Sequence, residues 1–564
     1  MAISNLPISL LGFYFVAILS IVASIASSID PICNLTPYPT FCESNLPPND
    51  KGDIHEYGKF FIGKSYSSSR KFFSLVSKYL KSPSNFSNPT ILALQDCHLL
   101  GDLSNGFWSR ALKKVNSTNN PSTLEVENLH TLISATLTNL ETCLEGLKQT
   151  TPNIDDELLT HLSNGTKLYS VSLAIFKSGW KNNTNNNPRK LREKNHYHMW
   201  EQRLYELISK RGRKLLQLTP DGVNVSQVVV VNQDGSGDFI TINDAVAAAP
   251  NNSVSSDGFS VIHVVAGVYE EIVSIPKNKK YLMMIGDGIN QTIITGNQSV
   301  VGGSTTFNSA TFGLNFSVVM GQKMSFSYES KFTSTVVAQG FVAVNITFRN
   351  TAGAINHQAV ALRSGADLSA FYSCSFEGYQ DTLYTHSLRQ FYRNCDIYGT
   401  IDFIFGNAAV VLQQCNIFLR LPLPGQFNAI TAQGRTDINQ NTGTSIHNCS
   451  ITASSDLATS NGTTKSYLGR PWKQYSRTIF MQSFIDSLIN PLGWSEWSGN
   501  FALDTLYYAE FDNQGPGADT SNRVTWLGYH VINDTDAIDF TVSNFIFGDA
   551  WIPITGVPYY SGLL

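Results

Sequence analysis

Two aspartates, Asp381 and Asp402, stand 21 residues apart, and Gln358 stands 22 residues before Gln380. Such spacings matter only if the chain coils with the same period. Cys374-Ser-Phe376, Cys395-Asp-Ile397 and Cys415-Asn-Ile417 recur at 21 and 20 residues, the first two preceded by Phe371-Tyr-Ser373 and Phe391-Tyr-Arg-Asn394. A period near twenty with short strands reads as a solenoid. In a parallel β-helix adjacent coils lie about 4.7–4.9 Å apart, which gathers both carboxyls and both carboxamides into one patch. Two carboxyls that close do not ionise independently, because repulsion and burial raise one of them. One becomes an acid and its partner stays a nucleophile or base. An ionised aspartate attacks an ester carbonyl, the protonated one gives its proton to the departing alkoxide, and the same group then activates water. Gln358 and Gln380 would donate to the tetrahedral oxyanion, a role worth about 2.7–4 kcal/mol per donor. A bare turn ladder produces the same spacing without chemistry.

The elements that must hold this patch are short. After Gln217 the sequence turns to β-branched runs broken by Gly and Asn, beginning with Val228–Val231, with one early helix expected over Thr241–Ala249. Gly235-Ser-Gly237 matches neither phosphate-loop pattern and reads as a turn. Stacking of coils would set Cys395 above Cys415, close enough to bridge. Cys374 and Cys449 read as buried thiols.

At 564 residues the chain exceeds one core, so two folded units are expected. An apolar run from Leu10 to Ala26, ending in the small residues Ala23–Ser28, reads as a signal peptide over 1–28. No later stretch reaches the about 18–20 apolar residues a bilayer span requires. Sequons at Asn85, Asn116, Asn345 and Asn448 suit a secreted glycoprotein. From 29 to 180 apolar residues recur three and four apart, as in Thr131–Leu147, which predicts a small helical bundle. Its cysteines would pair 33 with 42 and 97 with 143. Residues 181–216 read as a linker ending in the basic Lys210-Arg-Gly-Arg-Lys-Leu-Leu216, open to a processing protease. The part from Gln217 onward carries a net charge of roughly −10 against +6 before it, so the halves should attract, and the acidic half argues against nucleic acid. No His, Cys or carboxylate cluster has metal-ligand spacing.

Five motifs occur in order: Gly267-Val-Tyr-Glu-Glu271, Gln358-Ala-Val-Ala-Leu-Arg363, Gly378-Tyr-Gln-Asp-Thr-Leu-Tyr384, Gly399-Thr-Ile-Asp-Phe-Ile-Phe-Gly406 and Leu468-Gly-Arg-Pro-Trp472. Together they closely resemble the signatures of plant pectin methylesterases, and the stretch before them, with Thr142-Cys-Leu-Glu-Gly146, resembles the four-helix inhibitor of those enzymes. The resemblance implies a right-handed parallel β-helix over 217–564 behind an all-α inhibitor-like pro-domain over 29–180. It implies a secreted, monomeric cell-wall enzyme that needs no cofactor, acts on methyl-esterified homogalacturonan and is cut at Arg213–Leu216 by a subtilisin-like protease. In these terms Asp402 is the nucleophile, Asp381 the proton donor and later base, and Gln380 and Gln358 hold the oxyanion. Arg470 keeps Asp402 ionised; Trp472, Tyr384, Phe405 and Thr306 line the substrate groove; Cys395 and Cys415 form the family's bridge.

One stretch departs from the pattern. Residues 313–334 are extra where the family runs from Phe312 almost directly to Val336, and read either as a surface loop or as a retained intron. A polygalacturonase would also use paired carboxylates, and a pectate lyase would want an acidic calcium cluster. An inhibitor-like binding protein is the non-enzymatic alternative.

Overall fold

The computed structural model describes residues 30–47, 52–83, 86–150, 156–181, 223–314, 339–460 and 462–564. The signal peptide, most of the linker with its basic site and most of the 313–334 insertion lie outside the described residues.

The N-terminal unit is a bundle of four long helices: α1 (Ile54–Leu80), α2 (Asn88–Ser117), α3 (Thr123–Thr150) and α4 (Asp156–Phe176). Local chemistry sets the starts. Asp53 accepts from the N–H groups of His55 and Glu56 at 2.9 Å each at the head of α1, satisfying donors that a helix start leaves free. Ser87 caps α2, with a proline in its first turn. Cys97–Cys143 ties α2 to α3, and Cys33–Cys42 closes the segment ahead of α1, both as expected from the spacing.

The C-terminal unit is a parallel β-helix. Among the described residues its strands form three parallel sheets of 11, 7 and 8 strands. Coil follows coil in lateral register, with Ser375, Asp396, Asn416 and Ser450 side by side. From Val342 onward, successive coils turn one corner on a left-handed residue, namely Asn345, Ser373, Asn394, Gln414, Asn448, Gln482 and Asp512, at φ between 47° and 57°. Asn tolerates that region better than most residues, which explains why Asn recurs there. Inside, aromatic rings stack from coil to coil, as in Phe348 on Phe376 (5.6 Å) and Phe371 on Tyr392 (4.6 Å). The expected early helix is present as Ile242–Ala248, capped by Thr241, and 232–238 is a turn.

The expected Cys395–Cys415 bridge is not formed. Cys374, Cys395, Cys415 and Cys449 are all free and buried, one residue ahead of the registered strand starts and hence in a single inward column. Cys395 Sγ approaches the carbonyls of Phe371 and Arg393 at 3.5 and 3.3 Å, and Cys415 Sγ those of Tyr392 and Gln413 at 3.7 and 3.6 Å. The spacing of about 4.7–4.9 Å between registered residues is within the Cα range of a disulfide, as in Cys97–Cys143 at 4.7 Å, so it is the direction of the thiols, each turned to backbone carbonyls, that leaves them unbridged.

Candidate active site

The seven-stranded sheet forms the floor of a groove. Four of its strands matter: Leu362–Ser364, Leu383–Thr385, Ile401–Gly406 and Asn428–Gln433, each registered with the next. Leu383 opposes Ile404, so Asp381 and Asp402, each two residues earlier, come side by side, and the Asp381 N–H donates to the Ile401 carbonyl at 3.1 Å. Both aspartates adopt left-handed backbone, φ 62° and 53°, a conformation tolerated where the surrounding ladder over-determines it. Both are buried, at 8% and 5% exposure.

Their surroundings differ. Arg470 donates to Asp402 through Nε (2.8 Å) and Nη2 (2.7 Å), a bidentate fork of the strong charge-assisted kind. Burial lifts the Asp402 carboxyl and the fork pulls it back. Asp381 has no such fork; burial and then the Asp402 charge push its carboxyl well above the usual range, with Arg470 opposing. Burial lifts both carboxyls, Asp402 less than Asp381, and only Asp402 has a bonded cation to hold its charge, so the pair is unequal. Arg470 is itself fixed by rings, with Trp497 at 4.3 Å and Phe427 at 5.3 Å from its guanidinium carbon. Neither ring was singled out in the sequence, because each lies outside the repeat.

Gln358 and Gln380 are half-buried at the same end of the groove. The Ala359 N–H donates to the Gln380 carbonyl at 3.2 Å, laying the two segments against each other. His357 precedes Gln358 at φ 55°, ψ −130°, a region otherwise used by glycine in tight turns. Tyr384 stacks on Phe405 with centroids 4.2 Å apart, and Phe405 meets Trp472 edge-on at 6.0 Å. Thr306 is half-buried at the head of the short turn Phe307–Ser309. All nine expected residues therefore line one face.

That face is covered. Phe307, Val360, Tyr384 and Phe405 pack into the apolar cluster of the bundle, with Trp472 against it. A hydroxyl stripe on α3 supplies polar contacts. Thr131 Oγ1 accepts from Asn441 (2.8 Å), the Ser134 carbonyl from Gln440 (2.9 Å) and Thr138 Oγ1 from Asn407 (2.9 Å), while Thr142 Oγ1 meets His386 Nε2 at 3.0 Å. The spacing of 131, 134, 138 and 142 is a helical face, and its run of buried hydroxyls is the signal that sequence reading passed over. Lys473 bonds Glu141 at 2.7 Å and also Glu145, and Lys277 pairs with Asp102. In these ion pairs bundle carboxylates meet β-helix lysines, although the bundle over 29–180 is near neutral and the β-helical half is acidic, so local placement decides the docking.

The fold and the unequal carboxyl pair define a β-helical carboxylic ester hydrolase carrying a helical inhibitor-type domain. A pectinesterase family model matches residues 228–331 and 327–549, its two stretches meeting within the insertion, and a plant invertase/pectin methylesterase inhibitor model matches 27–175. The chain is 51% identical to "Probable pectinesterase/pectinesterase inhibitor 20" of Arabidopsis thaliana, over 96% of this chain and 94% of that one. It is 50% identical to "Pectinesterase 2" of Citrus sinensis, over 84% and 82%. The solved pectin methylesterase from carrot is 54% identical with a TM-score of 0.54; the match takes in 98% of that chain and 59% of this one. The chain belongs to the pectinesterase family.

Proposed function

We propose that the protein hydrolyses methyl esters of homogalacturonan to pectate and methanol in the cell wall after secretion. The carrying observation is the asymmetry of the pair, with Asp402 forked by Arg470 while Asp381 faces it without a fork of its own. Asp402 attacks the ester carbonyl, and the amides of Gln358 and Gln380 hold the resulting oxyanion. As the intermediate collapses, Asp381 protonates methoxide, methanol departs and an acyl-aspartate remains. Asp381, now charged, takes a proton from water; the hydroxide attacks the acyl carbonyl, and Asp402 leaves as carboxylate. Tyr384, Phe405 and Trp472 offer sugar-binding faces, and Thr306 lies at the groove edge.

The bundle keeps the precursor silent by occupying this groove, and cleavage by a subtilisin-like protease within 210–216 ends the restraint. The test is methanol release from methylated pectin by the secreted unit 217–564, beside Asp402→Ala and the uncut chain. Methanol from the wild-type unit alone supports the reading. Chain shortening or unsaturated ends without methanol would replace it with glycosidase or lyase chemistry, and equal activity of cut and uncut chains would remove the silencing role.

A further inference from the structure

Arg363 lies on the groove strand Leu362–Ser364, registered with Tyr384 on the next coil. It is 5% exposed, and its guanidinium carbon stands 3.3 Å from the Phe307 ring centroid. Its Nε and Nη1 are buried without a hydrogen-bond partner. Burial lowers it to about 10, with Asp96 and Tyr384 opposing, so it stays charged at neutral pH. A buried cation with unused donors is costly to keep, and the roles assigned to the groove residues so far give it nothing to do.

The bundle shows what this place accepts. Asp96 of α2, itself 4% exposed, takes a hydrogen bond from Thr305 Oγ1 at 2.8 Å and another from Asn308 Nδ2 at 2.6 Å. Thr305 and Asn308 flank Phe307, the ring that carries Arg363. Burial under the bundle pushes the Asp96 carboxyl up to about 7, against the pull of Thr305, Arg363 and Asn308. An ester carbonyl would accept the same two hydrogen bonds but gives the guanidinium no charge to meet; a carboxylate supplies both, and in a groove open to solvent it escapes the burial under the bundle that lifts Asp96.

We infer that Thr305, Asn308 and Arg363 form a receptor for a free uronate carboxylate of the polymer, which Asp96 occupies as a stand-in while the bundle is docked. This rests on the groove binding homogalacturonan, as proposed above. The receptor sits one coil from Tyr384, so a sugar already stripped of its methyl group would be held beside the reacting ester. Each turnover then makes the group that the receptor takes, and demethylation spreads from existing carboxylates.

The test uses the unit 217–564, since nearly the whole of the solved carrot relative, 98% of it, is matched by 59% of this chain and the β-helix has a hydrophobic core of its own. Its readout is kcat/KM for methanol release from partly de-esterified homogalacturonan, divided by that from fully methylated polymer. Arg363→Gln should lower this ratio about tenfold, and Asn308→Ala about threefold, as loss of charge-assisted bonds predicts. Calorimetric binding of unmethylated oligogalacturonate should weaken by a similar factor in Arg363→Gln. An unchanged ratio together with unchanged oligogalacturonate binding, in Asn308→Ala if Arg363→Gln fails to fold, would overturn the receptor. A wild-type unit that binds oligogalacturonate through Arg363 yet releases no methanol would sink the esterase reading while sustaining the receptor.

Discussion

Replacing Glu141 and Glu145 together by alanine should release the restraint on the uncut precursor without touching the β-helix. One cation serves two carboxylates here: Lys473 is raised by both neighbours, while Glu145 is lifted by burial and its lysine opposes this only in part. Lys473 is therefore the well-satisfied member, and the docked state loses most when both acids go, since the ammonium remains covered with no partner. Breaking a buried pair costs about 3–5 kcal/mol. The side chains are 18% and 23% exposed, and solvent screening at that exposure trims the loss to about 2–3 kcal/mol. At about 1.4 kcal/mol per decade, docking weakens roughly 30- to 100-fold. A mostly docked precursor has an open fraction inversely proportional to the docking constant, so methanol release by the uncut variant should rise by the same factor. The assay is initial methanol release by intact secreted precursor, with cleavage excluded by electrophoresis. Lys473→Ala added to the double variant should restore part of the docking, because it removes the covered ammonium that the two missing acids left unpaired. An uncut double variant as silent as the wild type, its bundle still folded, would refute this account of the seal.

Arg470→Lys should cut kcat by about 10²-fold, because an ammonium cannot reproduce the fork. Without the fork Asp402 keeps its proton to higher pH, so the acid limb of the pH–rate profile should move upward. For Asp96, whose docked pKa of about 7 lies above the ordinary carboxyl value, the docked state holds the extra proton. Its contribution to docking is complete below pH about 4 and is lost as pH rises through 7, at up to about tenfold per pH unit. The ratio of docking constants, wild type over Asp96→Asn, should fall across that window while other titrating groups cancel; a flat ratio would reject it. Alkylation of unreduced, denatured protein followed by mass spectrometry should label Cys374, Cys395, Cys415 and Cys449 and spare the bundle's four cysteines.

Period carried most of the site. Asp381 and Asp402 were legible as a pair because 21 residues make one coil, and the same spacing brought Gln358 near Gln380. Cys449 escaped the repeat because it follows Cys415 by 34 residues, although register places it in the same column. The Cys395–Cys415 bridge failed for a finer reason: spacing shows which residues stack, not which way two thiols turn, and here each faces backbone carbonyls. Trp497, behind Arg470, is joined to the site by packing across coils and leaves no periodic trace. The mode of docking was the least legible. Net charge predicted attraction, but the positive surplus before Gln217 lies in the linker, the bundle over 29–180 being near neutral with 13 Lys+Arg against 14 Asp+Glu, and Lys277 and Lys473 seek out individual acids on it; a sum over a surface does not report where its members sit.

The 34-residue coil carries a further consequence. Its wall strands, Asn428–Gln433 and Gly443–His447, keep their places in the stack, and part of the surplus length bulges outward over 434–442. From that bulge Asp437 takes the hydroxyl of Ser170, the Asn439 carbonyl meets His130 at 2.7 Å, and Gln440 and Asn441 clasp α3. The latch is built from length that the barrel wall does not need, whereas the carboxyl pair is built into the wall. Shortening the bulge within 437–441 would remove these contacts to the bundle while Asp381, Asp402 and Arg470 stay in the wall and Gly434 stays against Trp472, so docking and the carboxyl pair can be varied separately.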